Sequence, residues 1–202
     1  MVNLAQKKFQ QRSVLRRSDE EEVMKLPVSE LKLPKDLKGA ENGRLPEAIL
    51  RPITPSGKLH HLAARAWEAM HDAAMQVEGT KPFKPTSSAD AYRTFQQQLS
   101  GFMTRFVETD TGTGTTRTYK GKKYWLKKGL AVMASPGTSN HGWGLAVDVW
   151  SANGLRLDWM LQNCAKYGFS WEVQSEPWHI RYCAGDNIPQ AVLDFEAKVK
   201  PA

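Results

Sequence analysis

Cysteine is scarce: Cys164 and Cys183 are the only 2 in 202 residues. One lies in a helical pattern and the other directly follows a strand-like run, so the pair forms no disulfide framework, and neither has metal-site spacing. Both are read as free, partly buried thiols. Long apolar runs are also missing. No stretch of about 18 apolar residues occurs, which excludes a membrane-spanning helix. The opening residues, MVNLAQKKFQQRSVLRRSDEEE, have neither the apolar centre nor the small-residue cleavage site of a secretory signal. Export by the usual route is therefore not expected, and a substrate outside the cytoplasm needs another means of delivery. There is no internal repeat, and the helical His-Glu-x-x-His signature is absent.

Acidic residues are missing from one long stretch. Between Thr111 and Val147 stand Arg117, Lys120, Lys122, Lys123, Lys127 and Lys128, with no carboxylate among them, in a chain of net charge +7. Such a patch suits a polyanion: nucleic acid, wall teichoic acid, peptidoglycan carboxylates or an acidic partner protein. A solvated lysine-rich hairpin accounts for it equally well, so charge alone does not choose.

What is present is the composition of a soluble globular protein, 41% hydrophobic and 24% charged. The length suits one core-bearing domain with an appendage. Residues 1–44 are polar, mix basic clusters with the acidic run Asp19–Glu22, and contain Pro27, Pro34 and the loop-like Glu41-Asn42-Gly43. Ser18 can cap a short helix with acidic residues in its first turn. The segment cannot bury much of itself, and it is read as an extended N-terminal docking arm, with the folded domain spanning 45–202.

Within that domain, Ser56 can cap a helix whose apolar positions Leu59, Leu62, Ala63, Ala66, Ala69, Met70, Ala73 and Val77 follow the 3.6-residue period, ending at Gly79. His60, His61 and His71 lie on or beside it. His60 and His61 cannot share a helical face, and no carboxylate stands at ligand spacing, so they are read as surface or packing histidines. A second helix begins near Arg93. Thr115–Tyr119 and Lys122–Leu126 read as a hairpin turning at Lys120-Gly121. Gly144–Trp150 is a strand pattern, and Leu155–Tyr167 is helical up to Gly168. Trp171–Val173 and Trp178–Cys183 read as antiparallel neighbours, and Ile188–Val199 as a closing amphipathic helix. The expected class is α+β, a small antiparallel sheet flanked by helices, rather than a βαβ repeat.

Two clusters carry chemistry. The first is Ser139-Asn140-His141-Gly142-Trp143-Gly144-Leu145-Ala146-Val147-Asp148, and the second is Glu176-Pro177-Trp178-His179-Ile180-Arg181-Tyr182. A catalytic zinc ion needs three protein ligands from His and Asp or Glu, with one position left open. His141, Asp148 and His179 supply that set. An ideal strand would point His141 and Asp148 to opposite faces, but Gly142 and Gly144 permit a bend that returns the imidazole. A peptidase also needs a base to move a proton from water to the leaving amine, and Glu176, three residues before His179, is the candidate. Arg93 is the candidate cation for the charge that develops at the scissile carbonyl. Singly, a His-x6-Asp or a Glu-x-x-His is weak, because either can be ordinary hydrogen bonding. Together and in this order they are specific.

These motifs resemble those of the D-alanyl-D-alanine carboxypeptidase and L-alanyl-D-glutamate endopeptidase family, which shares its zinc fold with the amino-terminal domain of hedgehog proteins. The family pattern Ser-x-His-x-x-Gly-x-Ala-x-Asp is matched at Ser139, His141, Gly144, Ala146 and Asp148. Glu-x-Trp-His is matched at Glu176, Trp178 and His179, and the upstream Tyr-Arg-Ser/Thr-x-x-x-Gln at Tyr92, Arg93, Thr94 and Gln98. The likeness covers about 45–202. It implies one Zn2+ held by His141, Asp148 and His179, with the sheet carrying the site. It further implies Glu176 as general base, Arg93 as transition-state cation, and Ser139, Gln98, Tyr92 and Trp178 in contact with the peptide. The basic insertion at 111–128 and the arm 1–44 depart from the family pattern.

The implied substrate is the peptidoglycan stem peptide, with removal of a terminal D-alanine favoured over cleavage of the L-Ala–D-Glu bond. Lacking an export signal, the chain resembles phage-encoded members, either lysis enzymes held in the host cytoplasm or enzymes mounted on a virion tail. The polar arm favours the tail, docking through residues 1–44 to other tail proteins. The competing class is a non-catalytic, zinc-containing docking module of a virion. A nucleic-acid binder using the basic stretch ranks last, since it requires salt-sensitive affinity for DNA.

Overall fold

The structure, a computed structural model, describes residues 25–199. The helix expected after Ser18, and the rest of the arm up to residue 24, lie outside the described residues. The order is β1 (Leu50–Pro52), β2 (Lys58–His60), α1 (His61–Met75), α2 (Phe95–Arg105), β3 (Phe106–Val107), β4 (Thr116–Tyr119) and β5 (Lys122–Leu126). Then follow β6 (Ala146–Asp148), α3 (Gly154–Asn163), β7 (Phe169–Trp171), β8 (His179–Tyr182) and α4 (Gln190–Val199). The class is α+β, as the sequence implied, but the strands form three small antiparallel sheets rather than one: β1-β2, β3-β5-β4 and β6-β8-β7.

The last of these positions the candidate site. Strand side chains alternate between faces, so register decides what each face carries. Val147 pairs with Ile180, which pairs with Trp171; all three are buried on the inner face together with Phe169 and Tyr182. That face meets α1, where Trp67 contacts Phe169 edge to face at 6.4 Å and stacks on Phe83 at 5.4 Å. Burying these seven side chains at roughly 1.5–3 kcal/mol each is the main local driving force. A bidentate pair from Arg65 to Glu196, at 2.6 and 2.7 Å, ties α1 to α4. The outer face carries Asp148, His179 and Arg181.

The helix expected from Ser56 starts later. Residues 50–60 form the β1–β2 hairpin instead, with Leu50 opposite His60, and Leu59 fills the core from a strand. Gly57, at φ +102, supplies the turn that periodicity overlooked. His60 then caps α1, its ring accepting from the Leu62 amide. The second helix is delimited as its sequence suggests, by a capping box between Thr94 and Gln97. The β4–β5 hairpin turns at Lys120 and Gly121, both at positive φ.

Residues 25–44 are not a separate arm. Leu26 and Leu37 join the main core, Val28 bridges Trp171, and Lys32 bridges Ala184. Leu26 exchanges two 2.9 Å hydrogen bonds with the Gln174 amide, and Ser29 donates to Ser170 at 2.9 Å. Local polarity hid this, because the partners lie more than 140 positions away in sequence. The domain therefore begins before Leu45.

The basic stretch sits on the β3-β5-β4 sheet, which packs on α2 around its own small core of Phe102, Phe106, Tyr124 and Leu126. Several of its cations have partners at home. Lys122 pairs with Glu108 at 3.1 Å, Lys127 donates to the Thr104 carbonyl at 2.8 Å, and Lys123 lies over the Trp125 ring. No described helix is long and apolar enough to cross a membrane.

Candidate metal centre

Asp148 and His179 are cross-strand partners in the β6–β8 register, which brings a carboxylate and an imidazole together on the outer face. Asp148 Oδ1 lies 2.7 Å from His179 Nδ1. The third group comes from the bend. Residues Asn140–Trp143 form a 3-10 turn that Ser139 caps, its hydroxyl accepting from the His141 amide at 3.3 Å. Gly144 ends the turn at φ +64, and its carbonyl accepts from the His60 amide at 2.9 Å. A Cβ there would stand 2.7 Å from the His60 nitrogen, so the position needs glycine on two counts. The turn swings His141 Nε2 to 3.3 Å from Asp148 Oδ2. One donor atom from each of His141, Asp148 and His179 lies within 4.8 Å of the others.

Both imidazoles are oriented from behind. His141 Nδ1 lies 2.9 Å from the Ala91 carbonyl, which makes Nδ1 the donor and leaves Nε2 facing Asp148. His179 Nε2 meets Glu172 Oε1 at 2.5 Å, leaving Nδ1 for the centre. The other Glu172 oxygen accepts from Arg181 and from Asn140, each at 2.6 Å. A carboxylate behind a ligand histidine fixes tautomer and ring angle in metal sites. Sequence reasoning missed Glu172. Strand parity could have found it, since Ser170 pairs with Arg181 and residue 172 falls on the same face.

The electrostatics follow from these contacts. Burial opposes ionisation of Asp148, yet hydrogen bonds from His141 and His179 hold its carboxyl far below the usual range. Burial likewise disfavours charge on His179, but Asp148 and Glu172 outweigh it and raise the ring to about 9. Glu172 is lowered by His179, Arg181 and Asn140 against its own desolvation. A metal ion held at this centre would compete with a proton for His179 Nδ1. Affinity for Zn2+ is therefore expected to rise by up to about tenfold per pH unit from pH 6.5 and to level off near pH 9. Calorimetric titration in buffers of different ionisation enthalpy should show proton release at pH 7; a flat profile would contradict the ring's raised pKa. Glu172→Gln keeps the shape but weakens the orienting bond, so affinity should fall about 10- to 100-fold in a competitive chelator titration.

The remaining predicted residues divide. Arg93 reaches the centre: its Nη2 lies 3.8 Å from Asp148 Oδ2 and 3.2 Å from Asp90 Oδ1. Its backbone amide donates to the His141 carbonyl, which locks the α2 entry to the ligand turn. Glu176 ends the turn that leads into β8, with its carbonyl accepting from the His179 amide at 3.0 Å. Its half-buried carboxylate has no hydrogen-bond or ion-pair partner among the described residues. Trp178 is 43% exposed and lines a cleft of about 500 Å³ beside Asp148, with Thr86, Asp90, Ser151 and Asn153. None of the residues lining this cleft is cationic; hydroxyls and an amide are its neutral donors.

Gln98, Tyr92 and Ser139, expected to contact the peptide, have hydrogen-bond partners within the fold. Gln98 is buried, donates to Asn42 and to the Arg93 carbonyl, and accepts from the Gly137 amide. The Tyr92 hydroxyl accepts from the Leu45 amide at 3.0 Å. The Ser139 carbonyl accepts from Asn42 at 2.7 Å. A Cβ on Gly142 would overlap both Asn42 and Gln98, so the 42–45 segment and α2 interlock with the ligand turn. These contacts hold the site's shape.

Two oriented imidazoles and one carboxylate, the last lining an open cleft, match the donor set of a single-metal hydrolytic centre, and Zn2+ fits it. Comparison narrows the class. The model of the VanY family, described as D-alanyl-D-alanine carboxypeptidase, matches residues 56–185, and the chain belongs to that family. Similar solved structures include VanYB in complex with D-alanine-D-alanine, 22% identical over 74% of this chain and 83% of that one, with a TM-score of 0.46. Another is a vancomycin-resistance D,D-pentapeptidase VanY variant in complex with Zn(II), 23% identical over 75% and 88%, with a TM-score of 0.45. A third is the LdcB LD-carboxypeptidase, 18% identical over 79% and 80%, with a TM-score of 0.40. Among curated proteins none matches.

Proposed function

We propose that the chain is a zinc peptidase that removes the terminal D-alanine of the peptidoglycan stem peptide. The observation that carries this reading is the convergence of His141 and His179 on Asp148, which lines an open cleft, in a chain of the VanY family. Those three residues would hold the ion, which supplies Lewis acidity toward the scissile carbonyl and lowers the pKa of water. Glu176, with no partner to neutralise it among the described residues, takes a proton from the attacking water and returns it to the departing amine. Arg93, held by Asp90, stands 3.8 Å from Asp148 and offsets the negative charge that builds on the carbonyl oxygen. Trp178 supplies an apolar wall, and Thr86, Ser151 and Asn153 offer neutral donors for the small D-residue and its carboxylate.

Incubation of the zinc-loaded chain with the pentapeptide L-Ala-D-iGlu-L-Lys-D-Ala-D-Ala separates the outcomes by fragment-ion sequencing of the product and by the chirality of the alanine released, because both cuts leave tetrapeptides of equal mass. Release of D-alanine, leaving L-Ala-D-iGlu-L-Lys-D-Ala, is expected. Release of the tetrapeptide lacking L-Ala instead would assign endopeptidase activity, and zinc binding without cleavage of peptide or purified wall would favour a docking module. Delivery from a virion tail is part of the same reading, with residues 1–24 as the remaining docking segment. Capture of tail proteins by the full chain but not by one lacking those residues is the expected result.

A further inference from the structure

We infer that Asp36, His60 and His61 form a second divalent-metal site, separate from the His141 centre, that clasps the 25–44 segment to the domain. The two histidines were read from sequence as unable to share a face, and in a regular element that holds. They straddle a junction instead. His60 has extended backbone, φ −52 and ψ 139, as the last residue of β2 and cap of α1, while His61 is the first helical residue. The change of backbone brings the rings to 4.5 Å between centroids.

The carboxylate comes from outside the hairpin and helix. Asp36 sits in the 3-10 turn Lys35–Leu37, which the buried side chain of Leu37 plants in the core. Its Oδ1 lies 2.9 Å from His60 Nε2 and its Oδ2 lies 2.8 Å from His61 Nε2. One donor atom from each residue falls within 4.8 Å of the other two. An ion at the usual zinc distances of roughly 2.0–2.2 Å would spread the donors by a few tenths of an ångström. Two imidazoles and a carboxylate suit zinc and its first-row neighbours. His60 is fully buried while His61 and Asp36 are about one-third exposed, so the remaining coordination positions face water.

The charge balance favours an ion. His60 is fully buried and its Nε2 faces the Asp36 carboxylate. A divalent cation supplies the positive charge that the carboxylate attracts, without charging the buried ring. Coordination through Nε2 moves the His60 proton to Nδ1 and gives up the contact to the Leu62 amide. That contact is 3.4 Å long, at the outer limit of a hydrogen bond. Asp36 lies outside the residues matched by the family model, so the site is not part of what the family assignment implies.

Equilibrium dialysis of the full chain against Zn2+, read by elemental analysis, tests this. Wild type should bind two equivalents, and Asp36→Asn or His61→Ala one. His141→Ala should keep one, and His141→Ala/His61→Ala none. Zinc at about 100 times Kd should raise the Tm of His141→Ala by roughly 5–10 °C and leave the double variant unmoved. Asp36→Asn is nearly isosteric, so loss of its equivalent without loss of far-UV circular dichroism reports ligation rather than unfolding. Failure of the first site alone looks different: wild type binds one equivalent, His141→Ala keeps it and His61→Ala loses it. A wild type that binds one equivalent and retains it in both Asp36→Asn and His61→Ala overturns the second site and leaves an ion-paired latch.

Discussion

Glu176→Gln is expected to bind zinc like the parent chain and to lose about 10²- to 10⁴-fold in kcat, the usual contribution of a positioned acid–base group. The exchange removes charge and keeps shape. The Glu176 backbone carbonyl caps the approach to His179 and is unaffected by the exchange, so the ligand strand keeps its register. The side chain has no partner among the described residues, so removing its charge strands no other buried group. What disappears is the ability to accept a proton. Metal content by elemental analysis and turnover on the pentapeptide must therefore part company. If both fall together Glu176 is structural, and if neither falls another group is the base.

Asp148→Asn is expected to do the opposite, losing metal and activity in step. A neutral amide neither balances a divalent charge nor holds both imidazoles, so turnover should fall at least about 10³-fold, several kcal/mol of barrier. The variant also alters pH behaviour in the absence of metal. Asp148 is depressed in the folded chain, so its contribution to stability is present above its ordinary value near 3.8 and fades as pH falls below it. His179 is raised to about 9, so its contribution is complete below 6.5 and is lost as pH climbs through 9. With chelator present, denaturant midpoints of the parent chain should therefore decline from pH 6.5 to 9, and Asp148→Asn should flatten much of that decline. An unchanged slope would mean that His179 does not draw its proton affinity from Asp148.

Much of the candidate site was legible because its chemistry is local. His141, Gly144 and Asp148 sit within one short stretch, and His179 follows Glu176 in another, so residue types and spacing alone brought them forward. The antiparallel pairing of β7 with β8 was readable for the same reason, since two short strand patterns lie close in sequence, although β7 ends at Trp171 where the expected strand began. What stayed hidden depends on contacts between distant segments. Glu172 looks like any strand-end carboxylate until register puts it behind His179. Gln98 reads in sequence as a substrate contact, and nothing local foretells that its amide bonds Asn42, Arg93 and Gly137. Asp36 meets His60 across 24 positions, and no helical period could anticipate a partner supplied by an upstream turn. The polar text of 25–44 suggested a loose arm because its burial is paid by backbone and single-leucine anchors rather than by an apolar stripe.

The pairing of Asp148 with His179 and of Val147 with Ile180 makes one strand register serve two purposes. Adding or deleting a single residue in β6 or β8 would exchange inside for outside, hiding the ionisable groups among leucines and tryptophans while presenting valine and isoleucine to water. Length variation in such a scaffold must therefore accumulate elsewhere. The β3-β5-β4 sheet, with its own aromatic cluster, is a place where the chain can grow or shrink without disturbing that parity.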